Sequence, residues 1–123
     1  MTASPRTISP ASSLATAHRL MRAAGIRHLP VLEKGVVVGV LSARDLLLIE
    51  TLPKVDPAEA RVYEAMVRDV FVVAPTAPLG EAVETMIERK LGSAVVTDGP
   101  SVVGVLTTID ALRALHELLE QTD

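Results

Sequence analysis

The stretch Val37-Val38-Gly39-Val40-Leu41 returns, residue for residue, as Val102-Val103-Gly104-Val105-Leu106, 65 positions further along the chain. Five consecutive identities around a glycine mark a duplication. The same register extends without a gap in both directions. Upstream it sets Pro10 over Pro75, Leu14 over Leu79, Ala17 over Ala82, Met21 over Met86 and Val31 over Val96. Downstream it sets Ser42 over Thr107, Asp45 over Asp110 and Leu47 over Leu112. The run is almost continuously apolar, which suits a strand buried on both faces.

Working outward, each copy reads as β-α-β-β-α. A short strand at residues 6–8, matched at 71–73, is broken by Pro10 or Pro75, since proline has no N–H for a ladder. Ser12 or Ser13, and Thr76 in the second copy, can cap the helix that follows. That helix sets Leu14, Ala17, Met21 and Ala24 on one face, and Leu79, Ala82, Val83, Met86 and Ile87 in the second copy, at helical spacing. Two apolar strands come next, at 29–32 and 36–41, then at 94–97 and 102–106. They turn at Glu33-Lys34-Gly35 and Asp98-Gly99-Pro100. A closing helix occupies 43–52 and, in the second copy, 108–119. Residues 1–52 form the first copy, 53–61 a linker and 62–123 the second, with 58–66 a short helix leading into it. The fold class is α/β in content (α+β). A copy of about 45 residues is too small for a secure core alone, so the two are expected to pack as one domain about a pseudo-twofold axis.

Composition removes several classes of function. Of 123 residues, 49% are hydrophobic and 22% charged, the balance of a globular chain. Phe71 and Tyr63 are the only aromatic residues, too few rings for stacking single-stranded nucleic acid. A net charge of −3 gives no pull toward nucleic acid or an anionic membrane. The apolar runs 36–41 and 46–49 are too short to span a bilayer, and the polar, proline-punctuated residues 1–13 lack a signal-peptide core. Cysteine is absent, which excludes disulfides and thiol chemistry and fits a cytoplasmic protein. His18, His28 and His116 have no metal-ligand spacing, so no metal is expected. No nucleophilic triad and no phosphate loop of Walker type are present, so no catalytic residue is assigned and the chain is not expected to be an enzyme. Met21 and Met86 read as core filler, and Glu81, Glu84 and Glu88 as a solvated face. Gly39 and Gly104, inside strands, mark a bulge or a close backbone approach.

Ser42-x-x-Asp45 and Thr107-x-x-Asp110 each open a closing helix. One reading is a capping box, with the hydroxyl at the N-cap and the acid three residues on. The other is a ligand contact, with the carboxylate accepting hydrogen bonds from a ribose diol while the hydroxyl and the helix amides face phosphate. The two share the lone pairs of one carboxylate and can coexist only in part.

At these motifs the chain resembles the CBS domain family, named after cystathionine β-synthase. The resemblance rests on Gly25-Ile26-Arg27-His28-Leu29-Pro30-Val31-Leu32 and Val38-Gly39-Val40-Leu41-Ser42-Ala43-Arg44-Asp45-Leu46. In the second copy it rests on Leu91-Gly92-Ser93-Ala94-Val95-Val96 and Val103-Gly104-Val105-Leu106-Thr107-Thr108-Ile109-Asp110, with Met66-Val67-Arg68-Asp69 as the lead-in. It implies a tandem pair of CBS repeats with two clefts, which take adenosine ligands such as AMP, ADP, ATP or S-adenosylmethionine as effectors. It requires no cofactor. It implies a regulatory module that signals to a partner protein in trans, since this sequence carries no effector domain.

The resemblance favours the ligand role for Asp45 and suggests a division of labour. Arg27, His28 and Arg44, with Ser42, would meet the phosphates. Val72, Val73, Ala77, Gly92 and Ser93 would form the slot around adenine. The second cleft would use Asp110 and Thr107 with Thr7, Ile8 and Ser12; lacking a basic cluster, it is expected to bind more weakly. Leu46, Leu47, Leu112, Leu115 and Leu119 exceed what one small core needs and suggest the seam of a homodimer. The competing reading is a homodimerisation module whose clefts are vestigial.

Overall fold

The structure, a computed structural model, describes residues 6–122. The outer ends of the two copies as read from the sequence, residues 1–5 and 123, lie outside them, as does the first part of the segment read as lacking a signal peptide. The element order is α1 (Leu14–Ala24), β1 (His28–Glu33), β2 (Val36–Ser42) and α2 (Ala43–Glu50). It continues with β3 (Val72–Val73), α3 (Leu79–Arg89), β4 (Ser93–Asp98), β5 (Ser101–Thr107) and α4 (Thr108–Thr122). The chain divides into two compact units between Val70 and Phe71.

The duplication holds down to the strand register. In the first unit β1 and β2 pair antiparallel, with His28 opposite Ser42 and an irregularity between Val31 and Leu32. In the second, β4 and β5 pair with Ser93 opposite Thr107 and the same irregularity between Val96 and Thr97. The strand β3 joins β4 in parallel. Lys34 and Gly35, both at positive φ, make the two-residue turn that strand twist favours in a hairpin. Each unit carries its own core. In the first, Leu14, Ala17, Met21, Leu29, Val31, Leu41 and Leu46 pack with Ile8 and Val62. In the second, Ala82, Met86, Ala94, Val96 and Leu106 do so.

Four expectations are corrected. The leading strand at 6–8 shrinks to a single parallel bridge between Ile8 and Val31, because a turn closed by Ser12 N–H on Ser9 C=O bends the chain away at once. Thr76 does not cap α3. Its N-cap is Pro78, with no side-chain cap, whereas Ser13 Oγ accepts from Thr16 N–H at 3.1 Å to cap α1. Residues 58–66 are not a helix. Asp56 Oδ1 accepts from Ala58 N–H, a local side-chain turn that competes with helix, and only Val62–Glu64 forms a 3-10 turn. Ala24 is exposed, and so are Leu79 and Ile87, at 50% and 71%.

The third correction concerns the segment that precedes the second copy. Residues 57–67, instead of forming the expected helix, pack as a strap on the first unit. Leu14 N–H donates to Ala60 C=O at 2.9 Å, and Ala15 N–H to Pro57 C=O at 3.0 Å. Val62 is fully buried in the first core. Val67 exchanges two 2.9 Å backbone hydrogen bonds with Val40. Gly39 lies beneath this strap: a Cβ there would stand 2.7 Å from Met66 Sδ and 2.9 Å from the Val67 carbonyl oxygen. Its close-packing role is thereby explained.

Candidate functional site

In the first unit the hairpin ties the start of β1 to the end of β2. His28 lies across from Ser42, and Ala43 N–H donates to Arg27 C=O at 2.7 Å. Arg27, His28, Ser42, Arg44 and Asp45 are thus gathered at one end of the unit, where α2 begins. Arg27 and Arg44 are exposed, and neither guanidinium has a hydrogen bond or ion pair among the described residues.

Asp45 closes the capping box. Its N–H donates to Ser42 Oγ at 3.0 Å, the Ser42 hydroxyl donates to Asp45 Oδ2 at 2.7 Å, and Ser42 N–H reaches Oδ2 at 3.4 Å. All of these contacts to the carboxylate fall on Oδ2. Oδ1 has no partner among the described residues. Capping therefore consumes one oxygen and leaves the other to accept from a ligand. The first-turn amides of α2 and the exposed Arg27 and Arg44 set donors and cations at the end that also carries the Asp45 carboxylate.

The second unit repeats the frame with different side chains. Ser93 faces Thr107, and Thr108 N–H donates to Gly92 C=O at 3.2 Å. Thr107 N–H and hydroxyl donate to Asp110 Oδ2 at 2.9 and 3.1 Å, and Asp110 N–H donates to Thr107 Oγ1 at 3.2 Å. Gly92 and Ser93 stand where the first unit has Arg27 and His28. A Cβ built on Gly92 meets nothing within 4 Å, so that space is open. Val72 and Val73 pair with Val95 and Val96 on β4. Val72 is exposed, while Val73 and Ala77 are half-buried.

Of the residues assigned to the second cleft, Thr7 is half-buried and Ser12 is held by its backbone, its C=O accepting from Val62 N–H at 2.8 Å. Ile8 is buried in the first core; its N–H donates to Pro30 C=O and its C=O accepts from Leu32 N–H. Leu46, expected at a seam, is likewise a core residue at 3% exposure, whereas Leu47, Leu112, Leu115 and Leu119 are at least half exposed. No group of His, Asp and Glu suited to a metal occurs among the described residues. No described helix is long and apolar enough to cross a membrane.

Sequence reasoning missed two grooves. Between α1 and α2 lies a cavity of ≈ 450 Å³ lined by His18, Arg22, Arg27 and Glu50 among others, with His18 Nδ1 3.1 Å from Glu50 Oε1. Between α3 and α4 lies one of ≈ 780 Å³ whose wall is almost wholly apolar. The repeat register contained the signal, for it sets Val83, Ile87 and Leu115 over His18, Arg22 and Glu50.

Comparison with known proteins agrees with this architecture. An A-adding tRNA nucleotidyltransferase of Aquifex aeolicus is 40% identical over 100 residues, 79% of this chain and 11% of that protein. The chain thus spans only a small part of that relative. The structure of a protein assigned to acetoin utilization (AcuB) from Vibrio cholerae superposes with a TM-score of 0.76 at 33% identity, covering 99% of this chain and 90% of the other. CBSX2, solved in complex with AMP, superposes with a TM-score of 0.74 at 25% identity, covering 96% and 93%. The model of the CBS domain matches residues 1–50 and again 62–117. Two matched copies, with two hairpins in one shared register, establish that this chain belongs to the CBS domain family.

Proposed function

We propose that the chain is a regulatory module that binds an adenine nucleotide, AMP foremost, in a cleft to which both copies contribute, and that it catalyses nothing. The observation that carries this reading is the first unit's cluster. Among the described residues Asp45 keeps one carboxylate oxygen free and Arg27 and Arg44 have no partner, so a diol acceptor and two phosphate-binding cations share one helix start. In this reading Arg27, His28, Arg44 and Ser42 hold the phosphates and Asp45 holds the ribose. Val72, Val73, Ala77, Gly92 and Ser93 enclose the base, and the open space at Gly92 suits that task. AMP is favoured because the similar CBSX2 binds it; ADP, ATP and S-adenosylmethionine are the alternatives. Thr107 and Asp110, with Thr7, Ile8 and Ser12, form the weaker second cleft.

A ligand regulates only by binding one arrangement of its host better than another. A homodimer working in the cytoplasm, with a protein partner in trans, would supply such arrangements. The test is thermal melting with millimolar AMP, ATP or S-adenosylmethionine. Ligand at about 100 times its Kd adds roughly 2.7 kcal/mol to stability. Asp45→Asn should remove the AMP-dependent rise in Tm. Baseline Tm should fall by no more than the cap is worth, about 1 kcal/mol. If no adenosine ligand shifts the melt, the homodimerisation module with vestigial clefts replaces this reading.

A further inference from the structure

We propose that Met66 is a modification site: oxidation of its thioether to the sulfoxide releases the 57–67 strap from β2 and makes the first unit sensitive to peroxide. Met66 is none of the residues assigned to a nucleotide, so this site is independent of that reading.

Composition directs an oxidant to methionine. The chain has no cysteine and no tryptophan, which leaves the thioethers as its most readily oxidised side chains. Among the described residues the methionines are Met21, Met66 and Met86. Met21 and Met86 are each 5% exposed, inside the two cores, whereas Met66 is half-buried. Susceptibility follows exposure, so Met66 is oxidised first.

The position of that sulfur decides what oxidation does. Met66 packs against the first core, and its Sδ and Cγ lie 2.7 and 3.1 Å from where a Cβ on Gly39 would stand. Only glycine leaves room for the thioether there. Anchors lie on both sides of it. Met66 N–H donates to Val62 C=O at 3.0 Å, and Val62 is buried in the core. The next residue, Val67, exchanges two 2.9 Å hydrogen bonds with Val40. In the step itself the sulfur lone pair attacks an oxygen of hydrogen peroxide, the O–O bond breaks, an S–O bond forms and water leaves. The sulfur is oxidised by two electrons and the peroxide reduced by two. The product is a polar, chiral group in place of an apolar one. Holding its oxygen in an apolar contact costs the desolvation of a polar group, and turning it to water draws the side chain off Gly39. Both routes loosen the strap at Val67. A thiol-dependent methionine sulfoxide reductase removes the oxygen as water, two thiols closing to a disulfide, so the change is reversible.

Limited treatment of the whole chain with hydrogen peroxide tests this, read by peptide mass mapping, Tm and amide hydrogen exchange. One oxygen atom should appear on Met66 before Met21 or Met86 gains any. The oxidised chain should melt at least about 4 °C lower. The Val40 and Val67 amides should exchange at least about 10-fold faster, while that of Val95, which donates to Phe71 C=O, keeps its rate. The reductase with a thiol should restore both. Met66→Leu keeps an apolar contact of similar volume and should fold, yet lose the peroxide-dependent fall in Tm. Met66→Gln, polar without any oxidant, should melt lower from the start. Oxidation of Met21 or Met86 ahead of Met66 overturns the site. Met66 sulfoxide formed with no change in Tm or in exchange at Val40 and Val67 overturns the release of the strap. A fall in Tm under peroxide that persists in Met66→Leu places the sensitive group elsewhere and overturns both.

Discussion

Leu14 and Leu79 occupy the same position in the two copies, each the first residue of its helix, yet the first is 0% and the second 50% exposed. The difference lies in what is laid over them. In the first unit the 57–67 strap hydrogen-bonds to the start of α1 and drives Val62 into the core beside Leu14. In the second, nothing among the described residues covers the start of α3 in that way, and Leu79 becomes the wall of a groove. Two nearly identical local sequences thus yield a sealed helix and an open one. The open copy is also the one whose groove carries Val83, Ile87 and Leu115 where the other has His18, Arg22 and Glu50.

The comparison breaks most readily at those two leucines. Leu14→Ala should cost about 3 kcal/mol, the usual range for a fully buried leucine. Leu79→Ala should cost under about 1 kcal/mol in the dissociated chain. Denaturant titration at low protein concentration separates them, and equal losses would mean that Leu79 is sealed after all. The glycines give the next largest contrast. Gly39→Ala drives a methyl into Met66 and the Val67 carbonyl oxygen, and because one of those neighbours is backbone the loss should be about 2 kcal/mol. Gly92→Ala meets open space and should leave baseline stability within about 0.5 kcal/mol. If the adenine slot is as proposed, it will nevertheless reduce the melting shift given by AMP.

Much of this was legible in the sequence because hairpins and helices are local. Five repeated residues fix the register, and the register fixes both hairpins with their shared irregularity. The spacing Ser42-x-x-Asp45 gave the capping box, and the hairpin then gathers Arg27 and His28 at the same end. The strap was not legible, since its hold on α1 depends on hydrogen bonds between residues some 45 positions apart (Leu14 and Ala60), which no periodicity encodes. The exposure of Leu79 and Ile87 was misread for a related reason. A period of 3.6 tells which residues share a face and is silent on what covers that face. The proposed slot residues Val72, Val73, Ala77, Gly92 and Ser93 belong to the other unit from Asp45, and no local periodicity speaks to a pairing of that kind. The contrast between the two grooves, by comparison, was present in the register at His18 and Val83, Arg22 and Ile87, and Glu50 and Leu115.

The smallest effect tests whether the copies differ by design of their surroundings or by drift at single sites. Both first helices end in the left-handed conformation, at Gly25 (φ 64) and Lys90 (φ 54). Each end is closed in the same way: Ile26 N–H returns to Met21 C=O and Leu91 N–H to Met86 C=O. Glycine bears that conformation freely, while a side chain pays about 1 kcal/mol for it. At Gly25 a Cβ would meet nothing within 4 Å, so backbone preference alone is at issue there. Lys90→Gly should therefore stabilise the chain by roughly 0.5 kcal/mol, after subtracting the extra freedom glycine gains when unfolded. Gly25→Ala should destabilise by about 1 kcal/mol. Opposite signs for these two substitutions in one denaturation series would show that the helix ends are equivalent, and that the copies diverge through the strap and the grooves. A loss of stability on Lys90→Gly would instead mean that the lysine stem contributes packing at the mouth of the second groove, which it lines, and that this groove is shaped down to its rim.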